Sequence, residues 1–216
     1  MAEMWRSPQM VPRFVGFLSS FLQRVAETND AIWIHGGGGV PPCHQKVTVF
    51  HGLSKPGITV ASYLERIFTY ANCSPSCYVV AYIYLDRFSR RQPLVAVTSL
   101  TVHRLLITSV MVAAKFMDDV CYNNAFFAKV GGVSTLEMNF LERDFLFGLG
   151  FRLNVTPSVF GSYCAHLKER CCSSFPLLPS TASSLTRSPH LLPPSPLLPA
   201  TSIRPSSPSD IISPRL

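Results

Sequence analysis

Thr98-Ser99-Leu100-Thr101-Val102-His103-Arg104-Leu105-Leu106-Ile107-Thr108-Ser109-Val110-Met111-Val112-Ala113-Ala114-Lys115-Phe116-Met117 is the stretch whose reading decides the fold. Wound as a helix, it is apolar on nearly every side, as expected of a helix surrounded by other helices. The alternative is a membrane span. His103 and Arg104 stand within it, near the middle of the wider apolar window Leu94 to Met117, and charge is expensive in hydrocarbon, so a buried central helix is expected and no membrane association. Asp118-Asp119 closes it.

Working outward, helix follows helix. Upstream, Ser74-Pro75 is a start signal, with Ser as N-cap and Pro in the first turn. The helix behind it carries Val79, Val80, Ile83, Tyr84, Leu85 and Phe88 before Arg90-Arg91-Gln92-Pro93 breaks the chain. Before that, Val60, Tyr63, Leu64, Ile67, Phe68 and Ala71 form one apolar stripe. Downstream, a short helix over about 123–129 is stopped by Gly131-Gly132. Ser134-Thr135-Leu136-Glu137 reads as a capping box opening a helix to about Leu149. Gly150 ends it, and Thr156-Pro157 opens a last helix to about Arg170. Near the N-terminus, 11–28 is amphipathic, with Phe14, Val15, Leu18, Leu22 and Val25 on one face, and Asn29-Asp30 ends the pattern. The run Gly36 to Gly39 invites a phosphate-loop reading, but it lacks the preceding strand and the Lys-Ser/Thr pair such a loop needs. Val47-Thr48-Val49-Phe50 is the best strand candidate, and it is isolated. The expected class is all-α.

The chain has 216 residues, enough for one packed domain with extensions. Its last 46 residues, 171–216, contain ten Pro and twelve Ser, which block helix interiors and sheet ladders, so a disordered tail is expected there. The divisions read from this are 1–46, an N-terminal helix and glycine-rich loop; 47–170, the helical domain; and 171–216, the tail. Net charge is +7 without a basic run, so nucleic acid is not the expected partner. The seven Cys are odd in number and form no CxxC pair, which suits reduced thiols in the nucleus or cytoplasm. Cys43, His44 and His51 lack a fourth zinc ligand at finger spacing, so no metal is expected. No Ser-His-Asp order, HExxH motif or paired-carboxylate helix stands out, so neither catalysis nor a cofactor is expected.

Three clusters in order carry a resemblance: Tyr84-Leu85-Asp86-Arg87-Phe88; Ala113-Ala114-Lys115-Phe116-Met117-Asp118-Asp119; and Leu141-Glu142-Arg143-Asp144-Phe145-Leu146 with Leu149-Gly150-Phe151. Together they resemble the cyclin box. With Cys73-Ser74-Pro75-Ser76-Cys77 and Val102-His103-Arg104-Leu105, the text is similar to the plant P-type (U-type) cyclins, themselves similar to the yeast phosphate-response cyclins. The resemblance implies a single five-helix box, preceded here by the N-terminal helix. It implies a regulatory subunit that performs no chemistry. Such a subunit binds and activates a cyclin-dependent kinase as a heterodimer, in cell-cycle or phosphate signalling; an A-type kinase is the expected partner. The kinase's regulatory helix would dock on the third and fifth helices of the box. Lys115 and Glu142 match the kinase-contacting positions, and Asp118 falls near a third. Left to themselves, Lys115 and Glu142 would simply pair with each other. Asp86 and Arg87 match an internal pair that holds the domain together. Phe116, Met117, Phe126, Phe127 and Phe145 divide evenly between docking surface and core. The alternative is a cyclin-fold binding module that does not activate a kinase, or an isoform whose binding is impaired by the glycine-rich insert or the tail.

Overall fold

The computed structural model describes residues 10–35 and 47–173. The glycine run and the 174–216 portion of the tail lie outside them. Seven helices follow in chain order: α1 Met10–His35, α2 Val60–Ala71, α3 Pro75–Arg91, α4 Val102–Met117, α5 Asn124–Gly131, α6 Thr135–Leu149 and α7 Pro157–Ser173. No strand occurs among the described residues, and the all-α expectation holds. The five from α2 to α6 make the box, with α4 third and α6 fifth.

α4 is the central helix. From Val102 to Ala114 every residue except Arg104 is buried, against α2, α3, α5 and α6. Burying each large apolar side chain is worth about 1.5–3 kcal/mol relative to exposure, so this one helix anchors the rest. Its polar residues stay inside by bonding locally. Thr108 donates to the Arg104 carbonyl, Ser109 to that of Leu106, and His103 Nε2 lies 3.0 Å from the Ile58 carbonyl. No described helix is long and apolar enough to cross a membrane.

The helices start and stop where capping chemistry directs. Thr59, Asn123 and Ser134 each accept a backbone N–H at the start of α2, α5 and α6. Gly132 and Gly150 end α5 and α6 with φ of 72° and 59°, a left-handed turn that glycine adopts freely. α3 and α6 pack closely because Gly148 has no side chain. A Cβ there would stand 2.3 Å from Phe88, whose ring stacks on Phe145 at 4.9 Å.

Several local expectations are corrected. α1 runs through Asn29 and Asp30, because both side chains are used elsewhere. Asn29 donates to the Val97 carbonyl, and Asp30 accepts from the Ser99 N–H. The Val47–Phe50 run is a turn, with the Thr48 N–H on His51 Nδ1. α4 starts at Val102, not Thr98, since the Thr98 N–H is taken by Thr101 Oγ1. Ser74 is the N-cap of α3, but its hydroxyl makes no capping bond. Glu137 does not complete the capping box; its Oε1 holds Arg104 at 2.7 Å.

Candidate functional site

Lys115 and Glu142 lie 27 residues apart, and the fold brings them together. Lys115 is in the last turn of α4, where a cation suits the helix dipole. Glu142 is midway along α6. Lys115 Nζ lies 2.6 Å from Glu142 Oε1, with side chains 30% and 21% exposed. Asn124, the first residue of α5, closes the cluster. Its Oδ1 accepts from Lys115, and its Nδ2 donates to Glu142 Oε2 at 2.7 Å and to Asn139 Oδ1 at 2.7 Å. The mutual pairing of Lys115 and Glu142 is thus realised, with an amide bridging it that the sequence reading missed. Asn124 carries no charge and falls in no motif, so no signal pointed to it.

Hydrogen-bonding capacity remains. The ammonium has three donors, of which Asn124 and Glu142 use two. The carboxylate has about four acceptor positions, of which Lys115 and Asn124 use two. Main-chain groups of a docked partner can use the rest without breaking the cluster.

Large apolar side chains flank it in the chain. Phe116, Met117 and Phe140 are exposed, as are Val120 and Tyr122 in the link to α5. Tyr122 stacks on the partly buried Phe126 at 3.9 Å, and Arg143 lies over the Phe140 ring at 4.9 Å. The five docking-surface candidates therefore divide. Phe116 and Met117 are at the surface, Phe126 is at its edge, and Phe127 and Phe145 are core.

Asp118 has another task. Its Oδ2 accepts the Ser74 N–H at 3.1 Å, tying the end of α4 to the start of α3. Beneath this junction, burial pushes the thiols of Cys73 and Cys77 up to about 12, and the Asp118 charge adds to the effect. Both are protonated at neutral pH and inert as nucleophiles.

Asp86 and Arg87 do not pair with each other; neighbours in a helix point about 100° apart. The partner of Asp86 is one turn on: Arg90 Nε is 3.0 Å from Asp86 Oδ2, and the Tyr163 hydroxyl of α7 donates to the same oxygen at 2.6 Å. Arg87 instead donates to the carbonyls of Arg152 and Asn154. Both side chains bond within the domain, but to different parts of it. Arg66, left without a partner by the sequence, donates to the Lys129 carbonyl. No group of three metal-ligating side chains occurs among the described residues. His51 bonds Thr48, while Cys43 and His44 lie outside the described residues.

Residues 13–153 match the family model described as Cyclin. The chain is 58% identical over 190 residues to Cyclin-U4-1 of Arabidopsis thaliana, covering 86% of this chain and 91% of that protein. It is 63% identical over 161 residues to Cyclin-P4-1 of Oryza sativa subsp. japonica, covering 74% and 75% respectively. Cyclin-U4-2 of Arabidopsis thaliana is 56% identical over 163 residues, covering 74% and 72%. These findings bear out the resemblance to the plant U-type and P-type cyclins.

Proposed function

The chain belongs to the cyclin family, and we propose that it binds and activates a cyclin-dependent protein kinase as the regulatory subunit of a heterodimer. The observation that carries this is the partly exposed Lys115–Asn124–Glu142 cluster, flanked by exposed Phe116, Met117 and Phe140. Lys115 and Glu142 lie on the third and fifth box helices, and Asn124 opens the fourth. Apolar surface with a few fixed polar groups is how an interface centre combines affinity with register. The spare donor and acceptors would bond main-chain groups of the kinase's regulatory helix, and the aromatic side chains would pack against its apolar face. Activation follows if the cyclin binds the active kinase conformation more tightly than the inactive one. An A-type plant kinase is the first partner to try, in the nucleus or cytoplasm. The pathway served is cell division or phosphate signalling.

The test is co-expression with an A-type cyclin-dependent kinase, using residues 1–216, residues 1–170 and the double variant Lys115→Ala, Glu142→Ala. Co-purification and phosphorylation of a generic kinase substrate are measured. Loss of both in the double variant, with helical circular dichroism unchanged, is the expected result. Unchanged co-purification in that variant would remove the docking assignment. Co-purification without substrate phosphorylation would leave a binding module that does not activate.

A further inference from the structure

A groove of about 550 Å³ lies where the C-terminal end of α3 meets the segment following α6. Four arginines line it, Arg87, Arg90, Arg91 and Arg152, and no acidic or lysine side chain does. Two or three basic residues ending a helix suit its dipole and need no other reason. Arg152 is not on a helix end, yet it joins them. Its side chain makes no hydrogen bond or ion pair with a described residue, so the fold does not require its charge.

The other three are held in place with donors to spare. Arg87 uses one nitrogen, Nη1, on the Arg152 and Asn154 carbonyls. Arg90 uses Nε on buried Asp86, and Arg91 uses Nε on the Gly148 carbonyl. The remaining guanidinium N–H groups bond no acceptor among the described residues. The opposite wall is equally fixed. Tyr84 donates to the Leu153 carbonyl at 2.7 Å, so three successive carbonyls, 152 to 154, are all bound by α3. Just before them, Phe151 takes φ of 55°, a left-handed conformation costly for a residue with a side chain. It is 58% exposed on the groove's rim, with Leu153 beside it.

We propose that this groove binds a phosphorylated serine or threonine presented in a peptide segment of a partner protein. Fixed arginine forks match phosphate oxygens in charge and geometry, and arginine clusters are how phosphopeptides are read. The apolar shelf of Phe151 and Leu153 gives residues flanking the phosphate a seat, which a free ion would not use. None of these residues belongs to the Lys115–Asn124–Glu142 cluster. The proposal therefore stands or falls separately from kinase docking, and goes beyond it.

The test uses the full chain on a degenerate peptide array printed in phosphoserine/phosphothreonine and unphosphorylated versions. The best-retained peptide is then titrated by fluorescence anisotropy. The phosphorylated form should bind at least about tenfold more tightly than its unphosphorylated twin. Arg152→Gln should remove most of that preference, and Arg152→Lys should restore part of it, since charge returns without the fork. Arg91→Gln should act like Arg152→Gln, and Arg24→Gln on α1 should change nothing. Unaltered thermal unfolding of Arg152→Gln certifies that the loss is local. Equal retention of both peptide versions, or indifference to Arg152 and Arg91, would overturn the proposal. So would competition by inorganic phosphate at the peptide's own concentration. Tighter arginine-dependent binding to duplex DNA or to phosphatidylserine vesicles would also overturn it, and would reassign the groove.

Discussion

Two ionic clusters in this molecule are built from the same chemistry and do opposite things. Asp86 is 2% exposed and bonds Arg90 and Tyr163, so α3 and α7 close over it. Lys115 and Glu142 keep 30% and 21% exposure, with exposed aromatic neighbours. A buried carboxylate must have its partners, because losing one leaves a charge without solvent. In a partly exposed pair, water can take the place of a lost partner at little cost. The first cluster is thus committed to the fold, and the second is free to serve a partner.

Asp86→Ala should break the comparison on its buried side most severely. It strips Arg90 and the Tyr163 hydroxyl of their acceptor and should cost about 3 kcal/mol, read as a lowered midpoint in urea unfolding. A loss under half that would mean Asp86 is not committed as described. Tyr78→Phe sharpens the same rule with the opposite sign. The Tyr78 hydroxyl is buried and has no hydrogen-bond partner among the described residues, so removing it should stabilise by about 1 kcal/mol in the same measurement. The double change Lys115→Ala, Glu142→Ala should cost less than about 1 kcal/mol of stability while abolishing kinase co-purification. A large stability loss there would erase the distinction between the clusters.

The smallest change concerns pH. His103 Nε2 must donate to the Ile58 carbonyl, which leaves Nδ1 buried without a partner among the described residues, and burial lowers the ring's pKa. The unfolded chain therefore takes up a proton below about pH 6.5 that the folded chain refuses. Stability should fall as pH drops through that window. His103→Gln should flatten the decline, and His51, lowered for the same reason, should supply the part that remains. A thermal-melt series from pH 7.5 to 5 checks it; an unchanged slope in His103→Gln would show that His103 is not the group responsible.

What was legible in the sequence was whatever depends on spacing along one helix. The all-round apolar α4 and the stops at Gly132 and Gly150 follow from periodicity and backbone chemistry. Lys115 and Glu142 were singled out by motif context, and no local rule told whether they would meet. What failed was the destination of polar side chains. Asn29 and Asp30 look like terminators, yet their bonds reach 68 and 69 residues along the chain and let α1 continue. Glu137 looks like a capping residue, yet Arg104 outcompetes the backbone for it. The resemblance pairs Asp86 with Arg87, although helical geometry favours Arg90 as the partner of Asp86. The arginine groove was half visible: Arg87, Arg90 and Arg91 share a helix face by their spacing, but only the chain reversal after α6 adds Arg152.

The hydrogen bond from Tyr163 to Asp86 also sets how short an autonomous fragment can be. The stretch by which the family is recognised ends at residue 153, before α7 begins. A polypeptide cut there would lose Cys164 and Leu167, both buried against the core, and would open the Asp86 carboxylate to water with its tyrosine cap gone. The unit that folds alone must therefore outrun the unit that is recognised at its C-terminal end, extending past Leu167.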